Sequence, residues 1–584
     1  MKKLLLCCLA LVMSLGSARA DEGMWLLKLM KQQHLEDSLR KAGLQLSPEA
    51  LYSETSPSLR ECVGIFGGGC TGEVVSAEGL VLTNHHCGFS YVHDMSAIGH
   101  DYMKDGYFAH NKAEELRTPE SLTFTFILRI VDVTKEVNAE AKKKKADEYT
   151  MQSIGFLAPL AEKMLKKSDL AKKKGVTALI VPYFGGNQFY LFYQQTYQDI
   201  RLVANPPYNI GQFGGNSDNW MWPRQNADFA MFRIYADKNG NPAPYSKNNV
   251  PLKVKKYFPI SLKGIDKGDY TMIMGFPGRT TRYLTAGEVE FRCNSQNAPI
   301  VLAGNPLLAY YKGLMDQSDS LRLLLEDTYF SYGNAVKNFG GMNESVEKTH
   351  LLDFKKAEEN EFRRFIKQTG KTEYEGVIEA IDSLCTNYAD VSHDANLFNI
   401  ALGTQQLSAP TKLIDGYKQA LKDGKNKDIE SAKTALVTYY NTHVKPLHLD
   451  IDKGKVELLT PYYIKGHKLA TVPSYLKDGK SWEALVDSAY NNSVFTDSTR
   501  LAEALSKNDA ALLENDPLVK QQESLSNYAK ANFAGLHELN VKRHALDKKY
   551  VRGLCEMYDL WPYYRPQTTR CRLLRLAHSA RWYV

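Results

Sequence analysis

Long apolar runs are scarce in this 584-residue chain. The run from Leu4 to Leu15 falls short of the roughly 20 residues that span a bilayer as a helix, and no stretch of about 18 apolar residues follows it. Zinc-finger spacing, a Walker loop and paired dinucleotide glycines are all missing, so nucleic-acid and nucleotide readings have no motif to stand on. A large surplus of either charge sign is missing too, the net charge being only +7. The lysine run Lys142–Lys145 therefore reads as a solvated helix face rather than a docking site for an anionic partner. No internal repeat stands out. What is present is ordinary globular composition, 43% hydrophobic, 24% charged and 11% aromatic, with enough apolar material for more than one core. At roughly 100–200 residues per domain, two to four domains are expected.

The first twenty residues have the layout of a secretory signal peptide. Lys2 and Lys3 precede the apolar run, and Ala18-Arg19-Ala20 places small residues at −3 and −1, so cleavage is expected after Ala20. Cys7 and Cys8 come too early for a lipoprotein acceptor, and the sequence predicts a soluble periplasmic or secreted protein. Seven cysteines then remain, Cys62, Cys70, Cys87, Cys293, Cys385, Cys555 and Cys571. In an oxidising compartment an odd number leaves one thiol without an internal partner.

Along the chain, Asp21 to about Leu46 is helical in character, with Trp25, Leu26, Leu29 and Met30 on one face. From Val63 to about Pro277 the texture becomes β-rich. Val74-Val75 and Leu80-Val81-Leu82 flank a hairpin turn at Ala77-Glu78-Gly79, and strands are expected at Leu122–Val131, Phe189–Val203, Phe229–Tyr235 and Tyr270–Gly275. Gly-rich turns and irregular strand spacing favour a barrel or sandwich, interrupted by a helical insert near Glu136–Lys174. Beyond about Thr281 apolar positions three and four apart predict helices, as in Asp353–Lys367, Ile429–Thr442, Ser498–Glu514 and Val519–His544. The expected organisation is a signal peptide (1–20), a β domain (21–280), an α domain (281–558) and a distinct tail (559–584).

Two segments carry chemistry. In the first, Cys70-Thr71-Gly72 is followed by the strand Leu80-Val81-Leu82-Thr83 and then Asn84-His85-His86-Cys87. A histidine of near-neutral pKa can take a proton from a weak hydroxyl nucleophile and return it to a leaving amine. A zinc site and a functionless packed strand end remain the alternatives. In the second, Gly214-Gly215-Asn216-Ser217-Asp218-Asn219-Trp220-Met221-Trp222-Pro223-Arg224 leads into Asp228, which opens an apolar strand where a carboxylate needs a partner. A triad aspartate or a turn aspartate satisfied by backbone amides both fit.

The His86 segment resembles the histidine strand of chymotrypsin-fold serine peptidases. That resemblance implies a Cys70–Cys87 disulfide and makes His86 the general base. A wider resemblance, to the bacterial dipeptidyl peptidases of the dipeptidyl-peptidase 7 and 11 type, runs in order through Asp21–Trp25, Thr83–Gly88, Asp218–Arg224, Asp228–Tyr235, Gly275–Thr280 and Lys337–Met342. It implies a β + α multidomain fold, with a chymotrypsin-like double β-barrel and an inserted α-helical cap. It also implies a homodimer, no metal or organic cofactor, and release of dipeptides from the free N-termini of oligopeptides. By the same resemblance His86 and Asp228 are catalytic, while Asn219, Trp220 and Asn334 grip the substrate's amine. An ammonium group needs fixed acceptors and an aromatic face, which these residue types supply. Gln225 stands where many relatives carry a histidine.

The resemblance also implies a nucleophile in a Gly-Asn-Ser-Gly-Ser-type loop after the helical domain, and no such loop occurs. Gly215-Asn216-Ser217 belongs instead to the amine-gripping turn. From Leu560 to Val584 there are five arginines, no lysine and no acidic residue, which reads as a frameshift near Asp559 followed by an early stop. The expected reading is an exported serine dipeptidyl peptidase lacking its serine-bearing segment and most of its second barrel. Such a chain would be inactive and would expose an apolar face. Its rival is a peptide-binding remnant of such an enzyme.

Overall fold

The computed structural model describes residues 26–30, 35–278, 281, 283–477 and 482–558. The expected signal peptide, Trp25, Arg279-Thr280 and the tail from Asp559 lie outside them. The N-terminal helical character survives as a single turn at Leu27–Leu29 and a helix at Leu35–Lys41.

Eleven strands form one antiparallel sheet: β1 (Val63–Phe66), β2 (Cys70–Val74), β3 (Leu80–Thr83), β4 (Tyr107–Phe108), β5 (Leu116–Arg117), β6 (Phe124–Asp132), β7 (Val176–Tyr183), β8 (Gln188–Tyr197), β9 (Asp199–Asn205), β10 (Ala230–Ala236) and β11 (Val250–Pro251). The main order is β4-β9-β10-β3-β2-β1-β6-β8-β7. The segment expected as one strand from Phe189 to Val203 is two, separated by Gln198 alone. Because that segment supplies strands toward both flanks of the sheet, the sheet wraps around its own core. Phe66 (β1), Val74 (β2), Val81 (β3), Phe124 (β6), Leu202 (β9) and Phe232 (β10) all meet in one buried cluster. In β10, Ala230, Phe232 and Ile234 alternate inward, the period-2 pattern of a strand with one face on the core.

The helical insert comprises α2 to α4 of an outer layer, named here with the helix that precedes them: α1 (His85–His93), α2 (Thr134–Lys144), α3 (Glu148–Gln152) and α4 (Ile154–Lys166). Of these, α2 to α4 cover β7 and β8 through Val137, Phe156, Leu157 and Leu160, which pack on Ile180 and Phe189. Lys142–Lys145 are exposed, as a solvated face requires.

The helical domain begins at Ala286 and contains, after the short turn α5 (Gly215–Asp218) of the β domain, the helices α6 (Ala298–Met315), α7 (Asp319–Lys348), α8 (Leu351–Thr369) and α9 (Gly535–Met557) among others. The protein is thus a β + α multidomain chain. The expected helix Ser498–Glu514 is broken at Ser506, just before Asn508 takes a left-handed φ of 50°. The expected helix Val519–His544 ends and restarts at Ala534. The α9 helix returns to the β domain, where the Lys548 carbonyl accepts from Asn187 at 2.8 Å and its ammonium pairs with Glu148.

Tyr270–Gly275 is not a strand. Its backbone pairs with no strand among the described residues, and without a partner a strand leaves its amides unsatisfied. Ile260, Leu262, Ile265 and Ile273 in this region are exposed, Leu262 almost completely. No helix among the described residues is long and apolar enough to cross a membrane.

Phe232 sits fully buried against Phe66, with ring centroids 4.8 Å apart. Replacing it with alanine should cost about 3–5 kcal/mol in denaturant unfolding. A loss under ~1 kcal/mol would show that this cluster is not the core of the β domain.

Candidate active site

Strand register places the dyad. Thr83 at the end of β3 faces Ala230 at the start of β10, so residues 84–86 and Asp228 leave the paired strands at the same end. Glu73 faces Leu82 in the neighbouring pair, which carries Cys70 toward the same edge. There Cys70 and Cys87 are bonded, with Cα atoms 6.1 Å apart. The chain turns from β3 directly into α1, with Asn84 as its extended N-terminal cap residue.

Asn84 does not use its side chain to cap α1. Its amide donates instead to Asp228 Oδ2 at 3.2 Å, and the His86 backbone N–H, in the first turn of α1, donates to Asp228 Oδ1 at 3.1 Å. The aspartate thus does the capping from the segment just before β10, with its charge at the positive end of the helix. His86 Nδ1 lies 2.8 Å from Asp228 Oδ2. A carboxylate only accepts hydrogen bonds, so Nδ1 carries the proton and Nε2 keeps its lone pair. Burial pushes the Asp228 carboxyl up, but the His86 ring and backbone N–H outweigh it and hold the group below the ordinary carboxylate range. The His86 side chain is about half exposed (49%), and Nε2 has no hydrogen bond among the described residues.

His85, one residue earlier, occupies the opposite environment. It is fully buried, with neither ring nitrogen hydrogen-bonded; the Pro206 carbonyl lies beside the ring without completing a bond. Phe89 packs on it edge-on at 6.2 Å. Gly211 gives it room: a Cβ there would stand 2.4 Å from His85 Cδ2. Burial lowers the His85 pKa to about 4, with the nearby Asp228 charge opposing and His86 assisting.

The amine-gripping candidates are brought together by α7. Asn334 Oδ1 accepts from Asn219 Nδ2 at 3.0 Å and from Trp220 Nε1 at 2.9 Å. Trp220 is held in the left-handed region at φ 60°, a conformation costly to a bulky side chain unless its surroundings fix it. Asn219 Oδ1 accepts from Arg224 at 3.3 Å. The same helix reaches the dyad's side of the cleft, where Phe330, one turn before Asn334, packs on Phe89 of α1 at 5.1 Å. Ser217 lies on α5, part of this turn, and its carbonyl accepts from Lys337.

Sequence reasoning missed the buried state of His85, the diversion of Asn84 to Asp228, and the grip of Lys337 on the turn. Nothing local to Asn84 shows that a distant carboxylate takes over the capping of α1. Cys70, His86 and Cys87 offer atoms within 4.8 Å of one another, yet both sulfurs are spent in the disulfide, so the zinc alternative loses its thiolate ligands.

Comparison with known proteins follows the same site. The family model described as Peptidase S46 matches residues 20–574. The chain is 41% identical over 577 residues to a protein named dipeptidyl-peptidase 7 from Phocaeicola vulgatus, covering 96% of this chain and 78% of that one. It is 33% identical over 567 residues to an Asp/Glu-specific dipeptidyl-peptidase from Porphyromonas gingivalis, covering 95% and 78%. The crystal structure of Porphyromonas endodontalis DPP11 with the dipeptide Arg-Glu superposes with a TM-score of 0.82 at 28% identity, covering 92% of this chain and 78% of that one. The same protein in an alternate conformation gives 0.68. The family match continues past Asp559 to residue 574 and the relative from Phocaeicola vulgatus aligns over 96% of this chain, so neither the foreign tail nor the truncation expected near Asp559 is supported. An arginine-rich composition is a local bias that a family likeness can run through.

The His85 ring carries a pH signature. Its pKa is near 4 when folded and 6.5 ordinarily, so the unfolded chain binds the extra proton between those values. Stability should be whole above about pH 6.5 and fall as the pH drops toward 4, by roughly 3 kcal/mol at most. In His85→Leu the difference in unfolding free energy between pH 7.5 and 4.5 should shrink by most of that amount; an unchanged difference would clear His85 as its source.

Proposed function

This chain belongs to the peptidase S46 family, and from that we propose that it is a serine-type dipeptidyl peptidase, cleaving dipeptides from the free N-termini of oligopeptides outside the cytoplasm. The observation that carries this reading is the His86–Asp228 pair, with Nδ1 on the carboxylate and the opposite nitrogen free of hydrogen bonds, in a half-exposed ring. Asp228 holds the tautomer and stabilises the imidazolium. His86 is placed to take the proton of an attacking hydroxyl at Nε2 and return it to the departing amine; no residue is assigned as that nucleophile, since the Gly-Asn-Ser-Gly-Ser-type loop does not occur in this sequence. Asn219, Trp220 and Asn334 then hold the substrate's ammonium, which fixes how many residues lie between the free N-terminus and the scissile bond. Ser217 is not the nucleophile in this reading, because it belongs to the turn that grips the amine. Export is the reading that the signal-peptide layout of residues 1–20 supports.

Dipeptidyl chromogenic substrates separate this reading from its rival: release of the chromophore by the purified protein would show that a hydroxyl outside the missing Gly-Asn-Ser-Gly-Ser-type loop serves as nucleophile. His86→Ala should lower kcat on the order of 10⁶-fold, and Asp228→Asn by about 10⁴-fold. Peptide binding without turnover in the unaltered chain would favour the peptide-binding alternative. Turnover insensitive to His86→Ala would remove the dyad from the chemistry.

A further inference from the structure

Asn334 fastens the side chains of the amine-gripping turn, but its backbone is fastened elsewhere. The α5 helix is a single turn, Gly215–Asp218, and so short a helix leaves its last carbonyls without intrahelical partners. Lys337 of α7 reaches them: its ammonium donates to the Asn216 carbonyl at 2.8 Å and also to the Ser217 carbonyl. A cation at a helix C-terminus is favourable on charge grounds as well. One turn earlier on the same face of α7, Gly333 leaves a notch for the Asn216 side chain; a Cβ there would stand 2.2 Å from Asn216 Nδ2. That nitrogen is buried without a hydrogen-bond partner, so shape rather than bonding seats it. The next two residues of the chain after α5 are Asn219 and Trp220.

We infer that Lys337 is a positioning residue for N-terminal amine recognition: it pins the carbonyl end of α5 to α7, and Gly333 sets the depth at which the turn docks. This rests on the dipeptidyl-peptidase reading, since that reading assigns Asn219 and Trp220 to the substrate's amine. Lys337 touches no reacting atom. It acts through the backbone, whereas Asn334 acts through side chains, and both hold from one helix. Its own charge does not spoil a site for ammonium, because two carbonyls take its hydrogens and Asp218 lies near enough to offset it. Burial lowers the Lys337 pKa and the Arg224 charge adds to the shift, while Asp218 opposes it without reversing it.

The test measures binding, by calorimetry on the whole chain, of Arg-Glu and Arg-Phe, each with a free and an N-acetylated amine. In Lys337→Met the free-amine dipeptides should bind about ten-fold or more weakly, the scale of lost hydrogen bonds to a charged group. The N-acetylated forms, already weak, should change little, and Lys337→Arg should restore most of the preference for a free amine. Unchanged or tighter free-amine binding in Lys337→Met would overturn the inference. So would an equal loss for free and acetylated peptides, which would mark a purely structural role. If Lys337→Met fails to fold, Gly333→Ala, which presses a methyl into Asn216, should show the same selective loss, and a retained preference there would overturn the inference as well. Binding of neither free dipeptide to the unaltered chain would instead sink the dipeptidyl-peptidase reading beneath it.

Discussion

The geometry of the site depends on the single carboxylate of Asp228. Removing it from water is costly, and three donors from one short segment offset that cost: the Asn84 amide, the His86 backbone N–H and the His86 ring. The backbone donor belongs to the first turn of α1, so the group that orients the imidazole also caps the helix that carries it. Ring and helix cannot be shifted independently. The β3–β10 register brings this carboxylate to α1, and the Cys70–Cys87 bond ties the far side of the same turn to β2. Base and orienter therefore sit on a framework of sheet, helix and covalent link rather than on a free loop.

The second constraint is α7, which faces the β domain along about four turns, from Leu323 to Lys337. Leu323 accepts from His93 through its carbonyl at 2.6 Å, Asp327 accepts from Ser90 at 2.5 Å, Phe330 packs on Phe89, and Gly333, Asn334 and Lys337 meet the turn at 214–220. These positions recur three and four apart, the spacing of one helix face. Near the start of α7, Arg322 bridges Asp101 of the β domain and Glu326 of its own helix in a largely buried cluster. Desolvation makes such clusters weak contributors to stability, but their directionality fixes register. A rise of 1.5 Å per residue sets the distance between the α1 contact and the amine turn, so the helix works as a ruler between the two sides of the cleft.

Much of this was legible in the sequence because it is local. The β2–β3 hairpin, the inward alternation of β10 and the helical insert follow from periodicity and turn residues. The His86, Asp228, Asn219, Trp220 and Asn334 set came from motif order, and the structure brings His86 to Asp228 and Asn334 to Asn219 and Trp220. Features decided by distant partners were not legible. Tyr270–Gly275 has strand composition but pairs with no strand among the described residues, and Phe189–Val203 reads as one strand because a one-residue corner at Gln198 leaves the alternation almost intact. The break after Ser506 depends on Asn508 taking a left-handed conformation, which a three-four apolar pattern does not register. Lys337 reads as one more exposed helix lysine until α5 is placed against it.

His85 and His86 show how far environment separates identical neighbours. Consecutive residues at a helix start point about 100° apart, so one ring faces the cleft and the next is driven between Phe89 and Gly211. A second imidazolium beside the first would draw on the same Asp228 charge and weaken its hold on His86. Burial prevents that by keeping His85 uncharged above about pH 4. The cost is two ring nitrogens without hydrogen bonds, in a wall that a hydrocarbon of the same shape would fill more cheaply. That cost brings a rigid plane behind the dyad which adds no competing charge, and it leaves the field of Asp228 to the one histidine that can use it.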